Sequence, residues 1–143
     1  MSYSLAFSQA VMTVLFVADK IEQGIFDFVP TQTLAGALNI SGPSAVKILR
    51  SLSRAGIIET KEGRHGGVRM ARRPAEVTVL DVFNAIEQGR PMFKTSFNMN
   101  VSGSKPTRAQ EVLSGLLSEA EQAMKGRLSE TTVADLIRAI NAL

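Results

Sequence analysis

The sequence contains no cysteine, no tryptophan and a single histidine. Without thiols there is no disulfide, no thiolate-ligated metal and no iron–sulfur cluster held by cysteine. One imidazole is too few for an all-histidine metal site. The same poverty argues against an enzyme: there is no activated-nucleophile pattern, no phosphate-cradling glycine motif ahead of a helix, and only His65 to serve as an imidazole base. Long apolar runs are scarce too. Leu5 to Ala18 is apolar, but it is shorter than a membrane span and no basic residue precedes it. It reads as a buried helix of a cytoplasmic protein without a membrane partner rather than as a secretory leader.

What is present is a concentrated basic segment on a chain able to bury one core. With 143 residues, 45% of them apolar, one domain with an appended helical arm is expected. The net charge of +3 is unevenly placed. Lys47, Arg50, Arg54, Lys61, Arg64, Arg69, Arg72 and Arg73 all fall between Ser41 and Arg73, against only Glu59 and Glu62. The rest of the chain is therefore net acidic. Such clustering is the electrostatic footprint of a polyanion-binding face, because neutralised phosphates release condensed counterions. A merely solvated basic surface is the alternative.

That segment has the shape of a recognition helix followed by a β-hairpin wing. Over residues 41–55, Ala45, Leu49 and Leu52 share an apolar face, while Ser44, Lys47, Ser51 and Arg54 share the opposite, acid-free one. Gly56 stops the helix. Ile57, Ile58 and Glu59 begin a strand whose return leg is Val68 to Ala71, around a tip of Gly63, Arg64, His65, Gly66 and Gly67. Upstream, Thr31 to Leu38 makes a short helix, Asn39 and Ile40 the turn, and Ser41 the cap of a helix opened by Gly42 and Pro43. Helix, turn, helix and wing together make a winged helix-turn-helix.

The remaining elements support it. A first helix is expected from Ser4 to Gln23, with Val11, Met12, Leu15, Phe16 and Ile21 in a broad apolar surface that Val14 and Val17 extend towards a second partner. Ile25 to Pro30 is a connector. Thr78 caps a helix over Val79–Gln88, stopped by Gly89. Residues 90–106 read as a linker, and from Thr107 a long helix carries an apolar stripe of Val112, Leu113, Leu116, Leu117, Ala120 and Met124. That stripe needs cover, either from a second subunit or from its own domain. Ser129 is the expected cap of a last helix whose Val133, Leu136, Ile137 and Ile140 face inward. The fold class is thus mainly α with a small β-hairpin: a winged helix-turn-helix over 1–89, a linker over 90–106 and a helical dimerisation region over 107–143.

The run GIIETKEGRHGGVRMARRPAEVTVLDVFNAIEQG resembles winged helix-turn-helix regulators of the IscR, NsrR and CymR type, the Rrf-two family. Leu52 to Gly56, Gly66 to Ala71, Pro74 and Leu80 to Glu87 carry the likeness, and it continues in weaker form to the closing TTVADLIRAI. The resemblance implies a bacterial transcription factor, usually a repressor, that binds a palindromic operator as a homodimer through the helix from Thr107. Several members hold an iron–sulfur cluster on cysteines near the equivalent of Asn98 to Gln110. Here Val101, Ser102, Gly103, Ser104 and Lys105 offer none, so no cofactor is expected. Many relatives also carry an aromatic and an acidic residue where this chain has Ser44 and Val46, which implies a different operator.

On this reading Lys47, Ser44 and Ser51 are the leading base contacts, since ammonium and hydroxyl groups reach acceptors in the major groove. Arg50, at the edge of the polar face, contacts DNA or pairs with an acid of its own domain. Arg54, near the helix C-terminus, suits phosphate. Arg64 and His65 at the wing tip reach the minor groove or its phosphates, and Arg69 braces the wing or touches the backbone. Met92, Phe93, Phe97 and Met99 anchor the linker to the core or line an effector pocket. The expected partners are double-stranded DNA, a second copy of the chain and a small-molecule or protein effector. A winged-helix protein-interaction module with an incidental basic face is the competing reading.

Overall fold

A computed structural model describes residues 5–142. Six helices and one hairpin follow in order: α1 Leu5–Glu22, α2 Thr31–Leu38, α3 Gly42–Arg54, β1 Ile58–Lys61, β2 Gly67–Met70, a short 3-10 turn Pro74–Glu76, α4 Val79–Glu87, α5 Ser104–Ser129 and α6 Val133–Asn141. The mainly helical winged fold expected from the sequence is what forms. The start of α1 expected at Ser4 lies outside the described residues.

One core serves the hairpin and every α-helix except α5. Ala10, Val14 and Val17 of α1 meet Leu34 of α2, Ile48, Leu49 and Leu52 of α3, Val68 of the wing, and Val82, Ala85 and Ile86 of α4. Burying a large aliphatic side chain stabilises by about 1.5–3 kcal/mol, so three such residues on α3 fix its rotation about its own axis. Phe7 meets Phe83 edge-on, with ring centroids 5.3 Å apart. On α1 the buried face differs from the expected one. Ala10, Thr13, Val14, Val17 and Ala18 are buried, whereas Met12 is 52% exposed. Thr13 fits the core because its hydroxyl donates to the Gln9 carbonyl at 2.7 Å.

The hairpin pairs Ile58 with Met70 and Lys61 with Gly67. The connector before α2 is more than a connector: Val29 forms a bridge to Val68, donating to its carbonyl at 2.7 Å and accepting from its amide at 2.9 Å. The wing is thereby tied to the turn that leads into the helix-turn-helix.

Some boundaries, and the facing of Ile140, differ from expectation. The left-handed residue ending α4 is Gln88, at φ 53, one before Gly89. α5 begins at Ser104 rather than Thr107, because Pro106 falls in the first turn, where its missing amide costs nothing. Thr132, not Ser129, caps α6; Ser129 is the last residue of α5. Ile140 is 55% exposed rather than inward-facing.

α4 and α6 begin in the same way. EVTVLDVFNAI over 76–86 and ETTVADLIRAI over 130–140 share Glu, Thr, Val, Asp, Ala and Ile in register, and each carries a reciprocal capping box. The two starts are joined directly: the Val79 amide donates to the Thr131 carbonyl at 2.9 Å and the Val133 amide to the Val77 carbonyl at 2.8 Å. This pairing docks the end of the long arm back onto the winged domain. In the α6 box, the Thr132 amide donates to Asp135 at 2.9 Å and the Asp135 amide to the Thr132 hydroxyl at 3.0 Å. Those bonds, helped by Arg138, hold the Asp135 carboxyl below its ordinary range. A carboxylate depressed in the folded state stabilises fully above its unfolded pKa and loses that contribution as pH falls through the folded value. Asp135→Asn is therefore expected to melt below wild type at pH 7, with the gap closing in acid; thermal melts at both pH values check this.

Candidate nucleic-acid interface

The exposed side of α3 is set by what the helix buries. Ser41 caps it, accepting from the Ser44 amide at 3.3 Å, and Pro43 occupies its first turn. Ile48 joins Ala45, Leu49 and Leu52 in the core, which turns the buried arc further than the three-residue apolar face expected from the sequence. The outward arc is consequently Lys47, Arg50 and Arg54, all exposed, with Ser44 and Ser51 on one flank and Val46 and Ser53 on the other. Arg50, expected at the edge of the polar face, lies near its centre.

Two grooves run along those flanks. The wing-side groove, of about 550 Å³, brings Arg50 and Arg54 together with Lys61 and Arg64 of the hairpin, Val46, and Gln32 at the start of α2. The other, also of about 550 Å³, gathers Ser44, Lys47 and Ser51 with Gln9 of α1 and with Gln88 and Arg90 after α4. The sequence-predicted residues thus divide between the two sides. His65 is exposed at the wing tip beside Arg64. Lys61 and Gln32 were not expected among the site residues, and Val46 entered only through the resemblance, as a position at which the operator would differ. Lys61 carried a signal, as an exposed cation one residue from the tip; Gln32 carried none, since only the tertiary approach of α2 to the wing brings it there.

Ion pairing decides which cations are available. Arg69 pairs with Glu59 and lies over the Phe28 ring, its guanidinium carbon 4.5 Å from the centroid. Arg69 therefore braces the wing. Arg72 pairs with Asp81 at 3.2 Å and Arg73 with Glu76 at 2.8 Å. The bond from Arg73 holds the Glu76 carboxyl below its usual range. Among the described residues, Lys47, Arg50, Arg54, Lys61 and Arg64 have no carboxylate partner. Lys61 does lie over Phe28, 5.5 Å from the centroid. These five of the eight cations between residues 41 and 73 all border α3 or the wing.

A family model described as "Rrf2: Iron-dependent Transcriptional regulator" matches residues 3–139. The chain belongs to the Rrf2 family. This Rrf2 protein is a bacterial transcription regulator by family. It is 32% identical over 104 residues to the HTH-type transcriptional regulator NsrR of Shouchella clausii, covering 73% of this chain and 68% of that one. "Protein aau3" of Rhizobium meliloti is 42% identical over 59 residues. That match spans 41% of this chain and 38% of the relative, well under half its length. Among solved structures, IscR of T. potens superposes with a TM-score of 0.71 at 17% identity, over 98% of this chain and 88% of that one. At that identity the likeness establishes the shared winged-helix fold.

The iron named in the Rrf2 description can be tested against the donors present. There is no thiol, the one imidazole is His65 at the wing tip, and no group of three or more His, Cys, Asp or Glu among the described residues could hold a metal ion. Residues 98–103 and the start of α5 offer amide, hydroxyl and ammonium groups instead. This donor set does not fit a thiolate-held iron centre.

Beyond the winged domain, no residue of α5 is buried. Val112, Leu113 and Leu116 are 73%, 44% and 61% exposed, whereas Leu117 and Met124 are half-buried, so the first half of the stripe is left uncovered by its own domain. Segment 90–103 is tied to α5 by hydrogen bonds, and Met92 and Met99 within it are half-buried. The Met92 amide donates to Glu121 at 2.6 Å, and the Gln110 side chain donates to the Phe97 carbonyl at 3.0 Å. The Met92 bond, with Lys125, keeps the Glu121 carboxyl below its ordinary value. Of the four side chains expected to anchor the linker or line an effector pocket, Phe93 and Phe97 are exposed, and Phe93 lines a cleft against α5. No helix among the described residues is long and apolar enough to cross a membrane.

Proposed function

We propose that this protein is a cytoplasmic repressor that binds a palindromic double-stranded DNA operator as a homodimer and works without an iron–sulfur cluster or any catalytic step. The observation that carries this reading is the five unpaired cations bordering one helix and one wing, which form a single basic surface while the other basic residues of the segment are neutralised locally. α3 enters the major groove, Lys47 and Arg50 meet base edges, and Arg54, Lys61 and Arg64 lie along phosphates. Ser44 and Ser51, on the α1 side, add hydroxyl contacts; His65 follows Arg64 at the wing tip, and Arg69 holds the wing.

The exposed α5 stripe supports the dimer. A second copy packed about a two-fold axis would cover Val112, Leu113 and Leu116, and it would repeat α3 at a second half-site. On this reading residues 1–89 read DNA and α5 serves assembly, while α6 is docked back on the winged domain. An effector would act where segment 91–96 crosses α5. A cleft of about 540 Å³ there is lined by Phe93, Lys94, Ser114 and Leu117.

Selection of bound duplexes from a random pool tests the whole reading. Wild type is expected to enrich a palindrome, with binding that weakens on added salt by a log–log slope of about −0.9 per phosphate neutralised. Leu116→Asp, which sets a carboxylate in the stripe, is expected to lose the palindrome and sediment as a monomer. A flat salt response without enrichment would favour the protein-interaction module.

A further inference from the structure

We propose that Val46 is a specificity-determining residue that selects thymine through its 5-methyl group, an inference that rests on the DNA-binding reading above. Val46 is 46% exposed, whereas the core positions of α3 are already filled by Ala45, Ile48, Leu49 and Leu52. It therefore contributes little to folding. A β-branched residue on an exposed helical face lowers helix propensity slightly and leaves apolar area in water. Its position gives it another use. Val46 lies in the first half of α3, one turn before Arg50, and it borders the groove closed by Lys61 and Arg64.

Every other exposed residue of α3 from Ser44 onward is a cation or carries a hydroxyl. Those groups can satisfy base acceptors and phosphates. An isopropyl group among them can gain only from apolar contact, and the major-groove edge of DNA offers one apolar feature, the methyl of thymine. The rejection term has the same sign. A cytosine amino group facing Val46 would shed water and find no acceptor, which is costlier than a contact merely forgone. Attraction and rejection together favour a T·A pair at that position of each half-site.

The test replaces each thymine of the selected operator singly with deoxyuridine, which removes only the methyl. At one position per half-site, wild type is expected to lose about three- to fourfold in affinity, the worth of one buried methyl group. Val46→Ala should show no such loss there and should select a motif relaxed at that position alone. Val46→Thr, which keeps one methyl on the same carbon, should retain part of the sensitivity. A deoxyuridine penalty equal in wild type and Val46→Ala, or no penalty at any position, overturns the assignment while leaving DNA binding intact. Failure of wild type to enrich any duplex overturns the DNA-binding reading and the assignment with it.

Discussion

Gly67→Ala is expected to lower stability by on the order of 3–5 kcal/mol, adding a strained backbone conformation to overpacking. Gly67 has φ +146, and a Cβ built there would lie 2.2 Å from the Val29 carbonyl oxygen and 2.5 Å from its carbon. Both atoms are backbone, so neither can rotate away. The close approach exists because Val29 and Val68 exchange two main-chain hydrogen bonds; the strand can come that near only if its neighbour has no side chain. The alanine must therefore push the wing off the connector, breaking that bridge and loosening the Phe28 ring from Lys61 and Arg69. Thermal melting should show a drop of roughly 10–20 °C for a domain of this size. Gly126→Ala is the control: it lies within α5, where a Cβ meets nothing within 4 Å, and should raise helix stability by about 0.5–1 kcal/mol. If Gly67→Ala melted with wild type, the Val29 seat could not be what holds the wing.

That glycine marks where the sequence stops being legible. Gly63, Gly66 and Gly67 announce a turn, and a turn is there, but the demand on Gly67 comes from Val29, far away in the chain and on a connector too short to show strand periodicity. Local signals served best where a side chain acts on its own neighbourhood. Ser41, Gly42 and Pro43 marked the start of α3 because capping is a three-residue event. The same logic was available for α6, since Thr132 and Asp135 have capping-box spacing and repeat Thr78 and Asp81, yet Ser129 offered a competing cap three residues earlier. α1 defeated phase assignment for the opposite reason. It is apolar almost all round, so nothing in its pattern distinguishes buried Val14 and Val17 from exposed Met12.

The rotation of α3 mattered most for the site. Ala45, Leu49 and Leu52 alone point the polar face towards Ser44 and Ser51; adding Ile48 swings its centre towards Arg50. Which cations stay unpaired was equally hidden. Arg69, Arg72 and Arg73 look in sequence like Arg50 and Arg64, and only folding brings Glu59 and Asp81 to the first two.

This distinction has a large measurable consequence. The double variant Lys47→Ala with Arg50→Ala is expected to weaken operator binding by about 10²-fold to 10⁴-fold, whereas Arg72→Ala with Arg73→Ala should cost less than about tenfold. Each pair removes the same formal charge. The first pair stands on the outward arc of α3 with no carboxylate beside it, and each base contact is worth about 1–3 kcal/mol of discrimination, with about 1.4 kcal/mol per tenfold in affinity. The second pair already has its counterions in Asp81 and Glu76. A phosphate would have to displace a carboxylate already bound, so little net free energy is gained and few condensed counterions are released. Titrations of a fixed operator across a salt series separate the cases, because the Arg72 and Arg73 variant should keep the wild-type slope. Equal losses for both pairs would mean that net charge alone drives binding and that the outward arc of α3 reads nothing.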